Sequence, residues 1–335
     1  MHCLPVTEFS QVAEARRFTA QLGCGLGFTE TDSARVALLV TEAATNLVKH
    51  ATGGQLLVQS LPDVGGLELL ALDTGPGIRY VAQSLRDGYS TAGSLGTGLG
   101  AITRLATFWD IYSVLGVGTA LLMGIMPSSP PLLAPVNLDV GVVCIPKAGE
   151  SVCGDASTVI QQPGCSLVLL ADGLGHGPEA AQAAQTAVRL AHEHSTEPLE
   201  GLLERLHNGL RHTRGAAVAV AEVDLRPQEV KFAGVGNIAG RIILAEETVY
   251  LMSHNGTVGH QMRQVQALPY PWSDNALLVL HSDGLATRWD LMAYPGLARR
   301  HPSLIAGVLY RDFARGSDDV TVVVARVSAE QARAR

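Results

Sequence analysis

Four aspartates in the C-terminal half stand where a divalent-metal centre would need them. Asp155 lies in ESVCGDAS, Asp172 in LVLLADGLGHG, Asp283 in LLVLHSDGLAT and Asp318 in GSDDVTVVV. Asp172 and Asp283 each close an apolar run and precede a glycine, which places them at strand ends with a turn beyond; Asp318 directly precedes a strand. Carboxylates presented in this way can meet at one rim of a sheet sandwich although they are far apart in the chain. Such a set suits hard cations, Mg2+ or Mn2+, that take oxygen ligands. No His/Cys cluster has zinc spacing. Two ions there would acidify a water and draw a phosphoester into a field that carboxylates alone would make repulsive. Taken singly, each Asp-Gly also fits an ordinary turn after a strand; the ordered set of four points to metal chemistry.

A second constellation lies in the N-terminal half. Glu42, Asn46 and Lys49 fall at i, i+4 and i+7 in TEAATNLVKHA, on one face of an expected helix. That stripe can hold a metal-bound triphosphate, and it also suits a solvated helix face. LDTGPG (72–77) ends an apolar strand with Asp73 followed by Gly75 and Gly77, so a sheltered carboxylate can accept from an adenine amine. GSLGTGLG (93–100) brings Gly93, Gly96, Gly98 and Gly100 to the start of a helix, where backbone N–H groups can cradle phosphate.

The elements needed to position these residues are legible around them. Val36, Leu39, Val40, Ala43 and Leu47 recur at helical spacing, with Asp32 or Ser33 as N-cap. QLLVQSL and LELLALDTG read as strands, and FWDIYSVLGVGTALLMGIM as a hairpin turning at Leu115 to Gly118. The second half reads as seven strands (LDVGVVCI, CSLVLLAD, AAVAVAEVDL, EVKFAGVG, GRIILAE, ALLVLHSD, DDVTVVVARV) interrupted by two helical stretches, Pro178–His194 and Glu197–His212. Between the halves lies MPSSPPLLAP, whose prolines mark a linker. The expected domains are 1–126, a linker at 127–136, and 137–335. The fold class is α/β (α+β) in both: an α/β sandwich first, two packed sheets flanked by helices second.

Bulk composition agrees and excludes some classes. The 335 residues are 47% hydrophobic and 16% charged, ample for two buried cores and too apolar for extended disorder. The formal charge is −7 with scattered Lys and Arg, so no basic track for nucleic acid is expected. No run of about 18 apolar residues exists to span a membrane, and the first residues lack a secretory pattern. Five scattered cysteines without a CxxC pair read as reduced thiols, hence a cytoplasmic setting.

The N-terminal motifs TEAATNLVKHA, LDTGPG and GSLGTGLGAITRLA resemble the GHKL ATPase superfamily (Bergerat fold), in its RsbT-like branch of partner-switching serine kinases. The resemblance covers roughly 8–126. It implies ATP with Mg2+ as cofactor, Glu42 as the base that activates a serine hydroxyl, Asn46 as magnesium ligand, Asp73 as adenine contact, and Thr119 in GVGTALLM as a further pocket residue. CGD, ADGLGHG, HSDG and DDVT resemble the PPM-type metal-dependent serine/threonine phosphatases, in their SpoIIE/RsbX-like branch with an αββα sandwich, over roughly 137–327. That resemblance implies two Mn2+ or Mg2+ ions, Asp172 bridging them with help from the Gly173 carbonyl, Asp283 and Asp318 completing the set, and Asp155 acting directly or through water. Asp319 ranks below Asp318. His176 suits either substrate orientation or a helix cap, and Glu150 a water-holding or plain surface role. GVGNIAG and HNGTVGH read as turn regions.

The combined resemblance implies a stressosome-type phosphatase acting on phosphorylated STAS-domain proteins, with an anti-sigma factor or a downstream phosphatase regulator as further partner. A homodimer through the N-terminal half is compatible with it. The alternatives are an active serine kinase, for which retention of Glu42 speaks, and a non-catalytic partner-switching binder.

Overall fold

The computed structural model describes residues 1–85, 98–128, 137–226 and 228–328. Gly93 and Gly96, and most of the 127–136 linker, lie outside them. The chain divides into two compact units, Met1–Ala134 with Arg299–Arg311, and Pro135–Ala298 with Asp312–Arg335.

The first unit opens with β1 (His2–Pro5), α1 (Phe9–Gly25) and α2 (Glu30–His50). There follow β2 (Gln55–Leu61), β3 (Gly66–Leu72), a short α3 (Val81–Ser84), α4 (Gly98–Leu105), β4 (Phe108–Val114) and β5 (Gly118–Ile125). The strands form one antiparallel sheet in the order β1-β2-β3-β5-β4. Leu56, Val58, Leu69, Ala71, Leu121 and Met123 point to one face, where Val36, Leu39, Val40, Ala43 and Leu47 of α2 close a dry core. The apolar spacing in α2 thus buries the face read from the sequence.

The cap of α2 differs from the expected one. Thr29 is the N-cap and Asp32 stands three residues on, its carboxylate accepting from the Thr29 hydroxyl at 2.7 Å while its own N–H donates back at 3.1 Å. This reciprocal box satisfies free helix-end donors from one turn earlier than an Asp32 cap would. Helix α1 was not among the expected elements; its fully buried positions are Ala15, Thr19 and Gly23, and Val12, Phe18 and Leu22 pack half-buried against the same core.

The second unit holds β6 (Leu138–Ile145), β7 (Asp155–Gln162), β8 (Cys165–Gly173), α5 (Pro178–Glu193), α6 (Leu199–Gly209), β9 (Ala216–Asp224) and β10 (Glu229–Val235). It continues with β11 (Ala239–Ile243), β12 (Thr248–Leu251), β13 (Ser253–His254), β14 (Leu268–Pro271) and β15 (Leu277–His281). After α7 (Pro302–Phe313) comes the last strand, β16 (Val320–Val327). One sheet runs β13-β10-β9-β8-β7 with β14 also on β10, the other β12-β11-β15-β16-β6. Their inner faces meet through Val168, Leu170, Phe232, Leu278, Leu280 and Val323. Helices α5 and α6 pack Ala184, Ala187, Leu202 and Leu206 on the far side of the first sheet.

The two helices expected in the second half are α5 and α6; α7 is a third that periodicity did not reveal. Every residue from Pro302 to Tyr310 is buried, and a helix that is apolar all round shows no amphipathic period. Residues 299–311 group with the first unit, which a division at 127–136 does not anticipate. There Ser303 Oγ donates to Glu68 Oε2 at 2.7 Å, Gly307 lies against Leu70 and Leu72, and an Arg311 guanidinium N–H donates to the Asp73 carbonyl at 3.1 Å. His301 N–H and the Arg300 guanidinium both donate to Asp110 at 2.8 and 3.1 Å.

Glu68 is almost wholly buried between Ser303 and Gln59 Nε2, and loss of solvent pushes its carboxyl above the ordinary value of 4.5 against the pull of those two donors. A raised folded pKa means full stabilisation below 4.5, lost as pH rises through the folded value. Glu68→Gln is therefore expected to lose less melting temperature than the wild type between about pH 5 and about pH 8. Parallel pH profiles in thermal unfolding would show that Glu68 titrates as an exposed side chain.

Candidate functional sites

In the second unit, strand pairing brings the acidic residues together. Asp155, the first residue of β7, sits directly opposite Asp172 near the end of β8. Ser282 ties this edge to the other sheet: its hydroxyl donates to Asp155 Oδ2 at 2.7 Å and accepts from Thr321 N–H at 2.9 Å. Asp283 follows β15, and its Oδ2 accepts from Asn237 Nδ2 at 2.7 Å. Asp318 and Asp319 lead into β16, with Asp319 N–H donating to Asp318 Oδ1 at 3.0 Å. Asp319 is buried and its Oδ1 accepts from Lys147 N–H at 2.9 Å.

Two carboxylate oxygens in this group, Asp155 Oδ1 and Asp319 Oδ2, are buried and have no hydrogen-bond partner. Burying charged oxygen without a donor is costly, so these atoms point to a missing positive charge. The electrostatics agree. Burial, followed by the charges of Asp283, Asp318 and Asp319, pushes Asp172 up to about 7. Burial first and then Asp172 raise Asp155 well above the carboxylate range, and burial with Asp318 raises Asp283. Even so, among the described residues no three His, Cys, Asp or Glu side chains close to ligand distance. The two observations differ in reach: charges perturb one another over several ångströms, whereas a metal cage needs oxygens within about 2.6 Å of one centre. The geometry is that of acids assembled around a common space. Oxygen-only donors with orphaned buried atoms fit Mg2+ or Mn2+.

Glycines let the loops close. A Cβ on Gly284 would lie 2.0 Å from the Asp319 carbonyl, one on Gly173 2.1 Å from the Ala180 carbonyl, and one on Gly154 2.6 Å from Asp319 Oδ2. Backbone meets backbone at the first two positions, so no side chain can yield. His176 and Glu150, read singly from sequence, are partners: His176 Nδ1 and Glu150 Oε1 are 2.5 Å apart in a half-exposed pair beside Gly177. Asn237 and Ser282 were not singled out as site residues. Asn237 lies in GVGNIAG, a region read as turns, and Ser282 precedes Asp283 in HSDG.

In the first unit, a cavity of about 620 Å³ opens between α2, the end of β3 and the start of α4. Asn46, Lys49, Asp73, Gly77, Gly98 and Thr119 are among its lining residues. Gly98, the first residue of α4, stands against Asn46 and Glu42: a Cβ there would be 3.2 Å from Asn46 Oδ1 and 3.4 Å from Glu42 Oε2. Gly100, two residues further along α4, is buried.

Asp73 is 8% exposed, and its Oδ1 accepts from the N–H of Gly75 at 2.7 Å and of Thr119 at 3.2 Å. Burial raises its pKa against those donors. Gly77 adopts φ +71° with the Val114 carbonyl 2.3 Å from where a Cβ would sit, so the chain turns there only without a side chain. Thr119 Oγ1 shares a 2.9 Å hydrogen bond with Ser113 Oγ, which also accepts from Ile78 N–H at 2.8 Å. Ser113 was not anticipated, yet the expected hairpin carried it: a turn at Leu115 to Gly118 sets Ser113 opposite Thr119.

Comparison with known proteins also finds two parts, the second of which runs through residues 299–311. Residues 6–125 match the model of the histidine kinase-like ATPase domain, and residues 162–328 that of Stage II sporulation protein E (SpoIIE). Serine/threonine-protein kinase RsbT of Bacillus subtilis (strain 168) is 37% identical over 118 residues, 35% of this chain and 88% of RsbT. Phosphoserine phosphatase RsbX of the same organism is 24% identical over 142 residues, 42% of this chain and 70% of RsbX. Among solved structures, a chain from work on the bacterial stressosome as a modular system adapted to control secondary messenger signaling is 32% identical. Its TM-score is 0.54 over 56% of this chain and 99% of that one. RsbX in complex with magnesium shares the fold at 19% identity, with TM-score 0.51 over 59% of this chain and 99% of that chain.

Gly284→Ala is expected to destabilise the second unit by about 1–3 kcal/mol, as overpacking of a closed contact does, measured by denaturant unfolding. An unchanged midpoint would mean that the Asp283 and Asp318–Asp319 loops have slack.

The chain belongs, through its N-terminal unit, to the histidine kinase-like ATPase family of RsbT, and its second unit carries a SpoIIE-type protein serine/threonine phosphatase domain.

Proposed function

We propose that this chain removes phosphate from serine or threonine of partner-switching proteins, STAS-domain scaffolds or antagonists foremost, with two Mn2+ or Mg2+ ions in the second unit. The observation that carries the reading is the convergence of Asp155, Asp172, Asp283, Asp318 and Asp319 from two sheets, with two buried carboxylate oxygens left unpaired. Asp172 is central to the set, as the residue whose ionisation three of the others oppose. The ions, when bound, supply the positive charge that draws in phosphate oxygens and acidifies water.

The protein's own groups set the stage for them. Ser282 fixes Asp155 by one oxygen, leaving Oδ1 for a ligand role. Asn237 fixes Asp283 through Oδ2, and Lys147 N–H fixes Asp319 through Oδ1. Each acid is thus held from one side and offered from the other, as supporting hydrogen bonds do at metal sites. The Gly173 carbonyl, at the Asp172 turn, is the neutral candidate. Asp319 joins Asp318 as a candidate on equal footing, since its unpaired oxygen lies beside Gly154.

The first unit is proposed to bind ATP with Mg2+. Asp73 would meet adenine, Gly75, Gly77 and Thr119 would shape the base pocket, and Asn46 would hold the ion. Lys49, Gly98 and Gly100 would attend the phosphates, together with Gly96 outside the described residues. A serine kinase is the second reading, favoured by Glu42 standing with Asn46 at the start of α4. Transfer of label from ATP to an unphosphorylated STAS protein, lost in Glu42→Gln, would support it; tight ATP binding without transfer would leave a nucleotide sensor.

For the phosphatase, Asp172→Ala should lower phosphate release from a phosphoserine STAS protein by more than about 100-fold, beyond what loss of a supporting residue costs. Turnover unchanged in that variant ends the assignment. The metal has an independent readout. Asp172 is raised from 3.8 to about 7, so the metal-free fold has its full stability from this group below 3.8 and loses it as pH rises through about 7. Added Mn2+ should therefore raise the melting temperature more at about pH 8 than at about pH 5.5. An equal or smaller gain at the higher pH would contradict a site built on these acids.

A further inference from the structure

The segment 254–263 (HNGTVGHQMR) is tied to the row of residues that carries the acids. Asp155 of β7 stands opposite Asp172 of β8, and Asp172 is in register with Ala217 of β9. Gly236 continues the β9–β10 register past Val235 and packs against Ala217 without room for a methyl group. Gly236 N–H then donates to the His254 carbonyl at 2.8 Å. One line of backbone thus runs from the acids across the sheet to this segment, and the residue after Gly236, Asn237, holds Asp283. The segment itself is fixed. Val258 is bridged to Ala216, Thr257 and Gln261 exchange backbone hydrogen bonds at 2.7 and 2.9 Å, and Gly259 N–H donates to His207 Nδ1 at 3.1 Å.

A cavity of about 380 Å³ opens on this segment, lined by His254, Asn255, Gly256, Gln261 and Arg263. Its side chains bring a guanidinium fork, two amides and an imidazole, and no carboxylate is among the described lining residues. Among the described residues, no hydrogen bond or ion pair engages the side chains of Arg263, Asn255 or Gln261. Arg214, just before β9, is by contrast already paired with Glu179. We propose that this cavity receives an acidic side chain, Glu or Asp, of the phosphorylated protein, about four residues along the chain from the phosphoserine or phosphothreonine. The inference rests on the preceding reading of the acids as the phosphatase centre.

Sheet geometry sets the spacing. Neighbouring strands lie about 4.8 Å apart, so the steps from Asp172 through Ala217 and Gly236 to His254 span about 14 Å, the reach of about four residues of extended chain. Electrostatics sets the charge. The chain carries −7 and the centre gathers Asp155, Asp172, Asp283, Asp318 and Asp319, yet in physiological salt exposed charges are screened beyond about 8 Å. A group in the cavity therefore responds to Arg263 beside it far more than to the acids. Arginine presents paired N–H donors that match both oxygens of a carboxylate, and Asn255 and Gln261 can donate to the lone pairs that remain. Docking of this kind leaves the chemistry to the acids and adds grip on the peptide, equal in ground and transition states, which is read in KM.

The test uses the full chain with Mn2+ and synthetic phosphoserine peptides that carry Glu, Ala or Lys at the fourth residue from the phosphoserine, before it in one set and after it in another. In one of the two sets, the wild type should turn over the Glu peptide with a kcat/KM about 5-fold above that of the Ala peptide, the upper range for an exposed ion pair. The difference should lie in KM, with kcat equal. Arg263→Ala should erase the preference, and Arg263→Glu should redirect it to the Lys peptide, which a poorly folded protein could not do. Arg226→Ala removes a charge beyond the opposite end of β9 and should keep the wild-type preference. A wild type that hydrolyses p-nitrophenyl phosphate but ignores the Glu overturns the docking site alone, as does an Arg263→Glu variant that still favours Glu. A wild type that hydrolyses neither the peptides nor p-nitrophenyl phosphate overturns the phosphatase reading and the docking site with it.

Discussion

Like charges confined to one small volume repel, and the second unit is built to hold them there. Asp155 and Asp172 face each other across a ladder, and Asp283, Asp318 and Asp319 add to the same field. Rigid pairing along β7 and β8, the Ser282 bridge and the tight glycine turns prevent the acids from swinging out to solvent. The remaining ways to relieve the repulsion are protonation and a bound cation. The raised pKa of Asp172 is the mark of the first; the buried, unpaired oxygens of Asp155 and Asp319 suit the second.

The first unit solves a different problem, how to keep a carboxylate buried and available. Two backbone N–H groups meet Asp73 on the same oxygen, and the Thr119–Ser113 pair braces the strand that delivers one of them. The surrounding wall is mostly apolar, which suits a flat heterocycle that stacks by its faces and is recognised at its edge.

Much of this was legible before the fold was known, for identifiable reasons. Asp172 and Asp283 announce themselves because apolar strands end at them, and α2 because its leucines and valines keep helical time. What was hidden lacked a period. DASTVIQQ mixes small, polar and apolar residues, so β7 was unread, and with it the direct pairing of Asp155 and Asp172. Helix α1 fully buries only small side chains, with Val12, Phe18 and Leu22 half-covered, and α7 buries all of its residues from Pro302 to Tyr310. Asn237 and Lys147 act on the site through an amide and a backbone N–H, contacts that no local residue pattern encodes.

The placement of α7 bears on how such a chain can have arisen. Two genes joined end to end give a polypeptide that passes from one body to the next once. Here it passes three times, at 134/135, 298/299 and 311/312. A fragment cut at the linker would lack Ser303, Gly307 and Arg311, leaving Glu68 short of a donor and Leu70 and Leu72 bare on the sheet. The two units are therefore interlaced in sequence, the second being interrupted by a segment, 299–311, that groups with the first.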